Sequence, residues 1–182
     1  MSEKRYFDLQ LDSLRAIAGW AAECAEQALP LFEAHAPADE RPRAAIAGAR
    51  TFADGGKRAA SLRSLAMAAH AAAREVDDPA AAAAARAAGA AAASAYTHPL
   101  VDVHQTKHIV GSGAYAALAL ELDAGGDSAV GDAEVTRALT SAPPEAAEVL
   151  GHMPAREPGR SRLDELMYAL DAGLRRTAAE GA

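Results

Sequence analysis

Two histidines four residues apart are the first candidates for metal chemistry. His104 and His108 would face the same side of a helix, and His98 lies shortly before them. Imidazole nitrogens at this spacing can bind zinc. However, Gln105 stands where an H-E-x-x-H motif would need the glutamate that acts as general base. We therefore favour polar or packing roles for these histidines and predict no cofactor. A metal-binding protein or small enzyme that uses them is the alternative.

A further histidine lies in an alanine-rich segment. His70 is followed by Arg74 about one helical turn later. A buried imidazole needs a hydrogen-bond partner whether or not it is functional, so a structural role is the simpler interpretation. Both residues remain candidates for contact with a partner. In the metal-binding alternative, His70 joins the other three histidines around a cavity between the third, fourth and fifth predicted helices.

The string Asp39-Glu40-Arg41-Pro42-Arg43 is the most distinctive charged sequence in the chain. The Asp39 carboxylate can cap the free amides of a helix, and Pro42 is tolerated in its first turn. Arg41 and Arg43 can form ion pairs or bind carbonyl groups at neighbouring helix ends. Their guanidinium groups could also bind an acidic partner. We favour the structural role and keep Asp39, Arg41 and Arg43 as candidate partner-binding residues.

No nucleophile or phosphate-binding loop is evident in the sequence. Cys24 lies on an apolar helical stripe beside Glu23 and Glu26, and negative neighbours do not activate a thiol. The chain has no G-x-S-x-G motif. The segment 55–57, Gly-Gly-Lys, lacks the spacing and the hydroxyl residue of a nucleotide-binding P-loop. A catalytic role is therefore less favoured than a binding role.

The elements that position these residues are predicted to be helices. Alanine, the strongest helix former, is abundant, and strand-like runs are absent. We predict an all-α, antiparallel multi-helix bundle of roughly seven to eight helices with the alanine-rich ones at its centre. The predicted helices cover about 12–29, 39–54, 58–75, 79–95, 99–122, 133–140 and 144–152, with a last one from 161.

Local signals mark the ends of several predicted helices. Pro30 should break the first helix, and Asp78 followed by Pro79 is a strong start signal for the fourth. Ser161 with Asp164 three residues later should cap the last helix, and Gly89 should lie at a tight helix crossing. We expect one helical domain over 1–182, with a core bundle at 12–122 and a C-terminal extension at 127–182 docked on it.

Composition excludes several classes of partner and compartment. Lys and Arg number 18 against 25 Asp and Glu, a formal net charge of -7, and basic residues form only short groupings. Nucleic acid is therefore not the expected partner. The single cysteine cannot form an internal disulfide, and no signal peptide or membrane span is recognisable. We expect a cytoplasmic protein.

Several segments resemble a helical family of immunity proteins from polymorphic toxin systems. They carry the strings WAAECAE, LPLFE, DERPRAAI, AAHAAARE, AARAAG and AYA, in this order, between about residues 14 and 122. Actinobacterial members look closest, and these are often described as an exonuclease subunit. Such nucleases need a phosphate-binding loop and long heptad repeats, neither of which is present here.

The resemblance implies a non-enzymatic bundle that neutralises a toxin by binding it directly. A negatively charged surface would suit a basic toxin, because complementary charge speeds association and adds specificity. The alternatives are the metal-binding protein or enzyme described above, and a self-associating protein whose alanine-rich faces pack in a homodimer.

Overall fold

The computed structural model describes residues 4–180, and this part of the chain forms eight α-helices. They are α1 (Leu11–His35), α2 (Arg41–Ala53), α3 (Ala60–Glu75), α4 (Pro79–Ser94), α5 (Lys107–Asp123), α6 (Ser128–Thr140), α7 (Pro144–Gly151) and α8 (Arg162–Glu180). A short 3-10 helix covers Val103–Gln105. Within residues 4–180 there is no β-strand, only an isolated bridge between Tyr6 and Leu100. The predicted all-α bundle is confirmed.

The alanine-rich helix α4 lies at the centre of the bundle. It packs against α1, α2, α3 and α5, and most of its alanines are fully buried. Side chains of a single carbon allow the helix axes to approach closely, which explains the composition. These alanine faces are buried within one chain. Most of these alanines are therefore not available for packing against a second copy of the chain.

Small residues in α5 serve the same close packing. The Ser112 hydroxyl lies 2.6 Å from the carbonyl oxygen of Ala21 in α1 and 3.1 Å from that of Ala87 in α4. At Gly113, an added Cβ would lie only 3.2 Å from the side chain of Leu170 in α8. This segment therefore joins three helices and presents no exposed nucleophile.

The first helix extends past Pro30, so the predicted break there is wrong. α1 continues to His35, and Phe32 in its last turns is fully buried in the core. Proline inside a helix costs about 3 kcal/mol or more, whereas burial of a large apolar side chain contributes about 1.5–3 kcal/mol. Leu31, which also follows Pro30 and packs against the same core, adds to that contribution. Tertiary packing outweighs the local signal at this position.

Two predicted helix starts are confirmed in atomic detail. The Asp78 side chain accepts a hydrogen bond from the backbone amide of Ala81 at 2.8 Å, and Pro79 is the first residue of α4. At the start of α8, the Ser161 hydroxyl donates to the Asp164 carboxylate at 2.6 Å, and the Asp164 amide donates to the Ser161 oxygen at 3.2 Å. Each start depends on contacts within four residues.

The predicted helix from Pro99 is wrong over its first eight residues. The amide of Phe7 donates to the Pro99 carbonyl at 3.0 Å, and the amide of Val101 donates to the Arg5 carbonyl at 2.9 Å. These bonds hold 99–101 extended against the N-terminal segment. Asp102 then caps the 3-10 helix, and α5 begins only at Lys107.

The helices after Gly126 pack on the preceding bundle through α5 and α1. α5 contacts both α6 and α8, and α7 contacts α1. α6 begins at Ser128, five residues before its predicted start, because the Asp127 side chain accepts a hydrogen bond from the Ala129 amide. The indole Nε1 of Trp20 donates to the Ala138 carbonyl at 3.0 Å. Within residues 4–180, no helix is long and apolar enough to cross a bilayer.

Candidate functional site

Asp39 and Arg41 form one ion-pair cluster at the start of α2. Arg41 donates to the Asp39 carboxylate, with Nη2 2.6 Å from Oδ2, and also to the carboxylate of Glu75 at the end of α3. Asp39 accepts a hydrogen bond from the backbone amide of Arg41 at 3.1 Å. The predicted N-cap is nevertheless one residue too early, because the N-cap residue of α2 is Glu40, whose side chain forms no capping hydrogen bond. Hydrogen bonds from Arg41 lower the pKa of both Asp39 and Glu75. The cluster thus connects α2 to α3.

Arg43 is not part of that cluster. Its guanidinium pairs with Glu33 of α1, with Nη2 2.6 Å from Oε1. The D-x-R-P-R string therefore connects the start of α2 to α1 through one arginine and to α3 through the other.

Carboxylates predominate at this end of the bundle. The loops α1–α2 and α3–α4 meet here, since Arg41 bonds Glu75 and the His35 ring lies 3.6 Å from the Asp78 carboxylate. Glu40 and Asp77 are exposed and form no ion pair with any residue in 4–180. We call this surface the acidic end; its members are Asp39, Glu40, Glu75, Asp77 and Asp78.

His70 lies on a different surface, in the middle of α3. Its ring rests against Gly89 of α4, where an added Cβ would come within 2.8 Å of Cε1. The absence of a side chain at Gly89 therefore makes room for the His70 ring. Burial lowers the pKa of His70, and the positive charges of Arg74 and Arg86 lower it further. Arg74 itself is exposed and does not belong to the acidic end's ion pairs.

His70 and His108 line a common cleft between α3, α4 and α5. We call it the α3–α5 cleft; its volume is about 260 Å³. Its lining consists of His70 of α3, Ala90 and Ala93 of α4, Lys107, His108, Gly111 and Tyr115 of α5, and Met167 of α8. The sequence analysis placed a cavity between the third, fourth and fifth helices in the metal-binding alternative. A cleft is present there, and two of the four histidines expected around it, His70 and His108, line it.

The charged groups around His108 are all basic. Burial lowers the pKa of His108, and the positive charges of Lys107 and His98 lower it further, to a value of about 4. A neutral imidazole is therefore the resting form at neutral pH, and it keeps one ring N–H that can donate a hydrogen bond. The cleft consequently offers donors and positive charge to a ligand.

The other two metal candidates lie apart from the cleft lining. His98 lines a separate pocket with Arg58 and Arg63, and His104 is exposed on the 3-10 helix. They are separated from His108 because 99–106 does not form the expected α-helix. Among residues 4–180, no group of three or more His, Cys, Asp or Glu side chains is placed to bind a metal ion.

Cys24 lies in the core that joins α1 to α8. Burial raises the pKa of its thiol to about 12. A thiol of that pKa is protonated at neutral pH and is not an effective nucleophile. Its environment agrees with the predicted role as a small core residue.

The comparison with protein families decides how this chain is classified. A model described as Imm-5 like putative immunity protein matches residues 8–145, which is well over half of the chain. The chain belongs to this family. Searches of curated proteins and of solved structures found no match.

The residues matched by the Imm-5 like family contain the whole acidic end and nearly all of the α3–α5 cleft. Only Met167, on α8, lies outside the match. Sequence reasoning identified His70 and His108 but missed Lys107 and Tyr115, which the packing of α5 against α4 brings to the same cleft. No local motif marks them.

Replacing Gly89 with alanine should test how this Imm-5 like chain seats His70. We expect the free energy of unfolding to change by less than about 1 kcal/mol, because the ring must move away from the new Cβ and this cost offsets the gain in helix propensity. Urea denaturation measures the change.

The same substitution should be more stabilising when His70 is absent. In a His70→Ala background, Gly89→Ala is expected to stabilise by up to about 1 kcal/mol, since only the propensity gain remains. An equal effect in both backgrounds would show that the His70 ring does not rest on Gly89.

Proposed function

We propose that this chain is an immunity protein that neutralises a toxin by binding it directly and blocking its action in the cytoplasm. Membership in the Imm-5 like family carries this proposal. The net charge of -7 supports a basic toxin as the partner, because complementary charge accelerates encounter and disfavours wrong partners.

The acidic end is the surface we assign to the toxin. Arg41 holds Asp39 and Glu75 in place by hydrogen bonds, so these carboxylates are ordered before a partner arrives. Glu40 and Asp77 are exposed beside them and have no internal ion pair to break. Preorganised groups lose less conformational entropy on binding, which favours affinity.

The proposed action requires no reaction by this chain. Occlusion depends on a rigid surface, and the helices that carry the acidic end pack on a core of small and larger apolar side chains. Arg43 adds a second attachment, since it pairs with Glu33 on α1. The D-x-R-P-R string therefore supports the binding surface by fixing the position of α2.

Reversing two charges on the acidic end should weaken toxin binding. For a Glu40→Lys, Asp77→Lys variant we expect at least about tenfold weaker binding, mainly through slower association, because exposed interface charges act chiefly on the association rate. The toxin would be recovered on the tagged protein from the native host and shown to arrest growth when expressed alone. Biolayer interferometry and growth rescue then measure binding and protection.

A matched variant controls for the change in net charge. Asp54→Lys, Glu148→Lys reverses two exposed carboxylates elsewhere, and Asp54 is about 20 Å from the acidic end, at the far end of α2. This variant should bind within about twofold of wild type. Equal weakening by both variants would contradict the assigned surface, and failure to recover any growth-arresting protein would count against the immunity function itself.

A further inference from the structure

The basic residues that act on the two cleft histidines form no ion pair with a carboxylate in residues 4–180. Seven arginines form ion pairs with carboxylates within residues 4–180: Arg15, Arg41, Arg43, Arg50, Arg137, Arg162 and Arg175. Arg74, Arg86 and Lys107 have no such pair in that part of the chain, and all three act on the cleft histidines. A region of uncompensated positive charge is thus present on a chain whose net charge is -7.

The lining of the cleft combines one of these cations, Lys107, with apolar surface. Ala90 and Ala93 of α4 line it together with Tyr115 and Met167. Ala90 and Ala93 are only partly buried, although most other alanines of α4 are fully covered. The small side chains leave an open volume of about 260 Å³. This is slightly below the usual range for drug-sized ligands, about 300–1,000 Å³, so it suits a smaller molecule.

We propose that the α3–α5 cleft binds a small organic carboxylate. The carboxylate group accepts hydrogen bonds from His70 and His108 and pairs with Lys107, while the apolar part of the ligand covers Ala90 and Ala93. A cationic ligand is disfavoured because the charged groups around the cleft repel it.

The residues that line the cleft match both the charged and the apolar part of such a ligand. Neutral imidazoles donate through one N–H, and a lysine ammonium supplies up to three donors, so the cleft can satisfy both carboxylate oxygens. Charge-assisted hydrogen bonds are about twice as strong as neutral ones. Inorganic anions would use the same donors but would leave the apolar walls exposed to water. An organic acid with a ring or a short aliphatic chain contacts both the hydrogen-bond donors and the apolar walls.

Binding should become tighter as the pH falls from 7.5 to 6. A bound carboxylate favours the protonated form of His70 and His108, whose charged neighbours Arg74, Arg86, Lys107 and His98 are all basic. The ligand supplies the negative charge that these groups lack, and proton uptake should therefore accompany binding.

Titration with benzoate, followed by NMR of the histidine ring carbons and protons, tests the site. We expect saturable shifts of the His70 and His108 signals with a dissociation constant at or below about 1 mM, and smaller shifts at His104. Benzamide, a neutral molecule of similar shape, should bind at least about tenfold more weakly, because one charge-assisted contact corresponds to about that factor. Inorganic phosphate should also bind more weakly than benzoate.

Three variants separate the proposed contacts from general effects. Lys107→Gln should weaken benzoate binding at least about tenfold, and Ala93→Leu should abolish it by filling the cleft. His104→Gln, on the exposed 3-10 helix, should bind as wild type does. Circular dichroism confirms that each variant is folded.

Several results would overturn the proposal. One is that benzoate, cyclohexanecarboxylate and hexanoate all fail to give a saturable shift. Another is that benzamide binds as tightly as benzoate, or that phosphate binds as tightly or more tightly. The last is that Lys107→Gln binds benzoate with unchanged affinity. The experiment uses no toxin, so its outcome is independent of the toxin-binding test.

Discussion

Replacing Arg162 with alanine is expected to lower the free energy of unfolding by about 3 kcal/mol. The Arg162 guanidinium donates to the Glu121 carboxylate at 2.9 Å and to Asp132 at 2.6 Å. The Glu121 side chain is only 8% exposed, so without Arg162 it becomes a buried, unpaired charge. The expected loss is at the lower end for a broken buried pair because Arg162 is itself 29% exposed. Urea denaturation measures it.

Removing the charge of Glu121 should recover part of this loss. In the Arg162→Ala background, Glu121→Gln is expected to restore at least about 1 kcal/mol, since a neutral amide is less costly to bury than a carboxylate. Arg50→Ala is the matched control, because Arg50 and Glu26 form an ion pair that is about 40% exposed on both sides. Such pairs contribute about 0–1 kcal/mol. A similar loss in both alanine variants would show that burial of Glu121 does not determine the effect.

The parts of the fold that the sequence predicted correctly depend on local chemistry. Asp78 with Pro79 and Ser161 with Asp164 define helix starts through hydrogen bonds that span only a few residues. The alanine content of α4 likewise indicates a central helix, because only a helix with small side chains can pack closely on four neighbours.

The errors occur where distant contacts override local preference. Pro30 would end an isolated helix, yet the core contact of Phe32 keeps α1 helical. The stretch from Pro99 is extended because it pairs with residues 5–7, more than ninety positions earlier in the chain. The pattern of apolar residues within a short segment contains no information about contacts with distant residues, such as the core around Phe32 or the pairing with residues 5–7.

The basic surface around the cleft was hidden from the sequence for the same reason. Arg74, Arg86 and Lys107 lie on three successive helices, and no two of them are neighbours in the chain. Inspection for runs of basic residues therefore found only short groupings. The packing of α3, α4 and α5 brings Lys107 into the lining of the cleft, and it brings Arg74 and Arg86 close enough to His70 to lower the pKa of that ring.

Lowering the pH from 7 to 4 should destabilise the protein through His108 in particular. Its pKa is about 4 in the folded protein, against an ordinary value of 6.5. Between these values the unfolded chain binds a proton that the folded chain excludes, so stability falls as the pH falls. The full effect of His108 is about 3 kcal/mol, from roughly 1.4 kcal/mol per pKa unit. His70 contributes in the same direction, since burial lowers its pKa as well.

A His108→Gln variant isolates this contribution from that of the carboxylates. Its free energy of unfolding, measured by urea denaturation at several pH values, should fall less steeply than that of wild type between pH 6.5 and 4. Acidic groups such as Asp39, whose pKa is lowered by Arg41, affect both proteins equally and cancel in the difference. His104→Gln should retain the wild-type slope, because that ring is exposed. Parallel profiles for wild type and His108→Gln would mean that His108 accepts a proton in the cleft as easily as in water, and that the surrounding positive charge is not felt there.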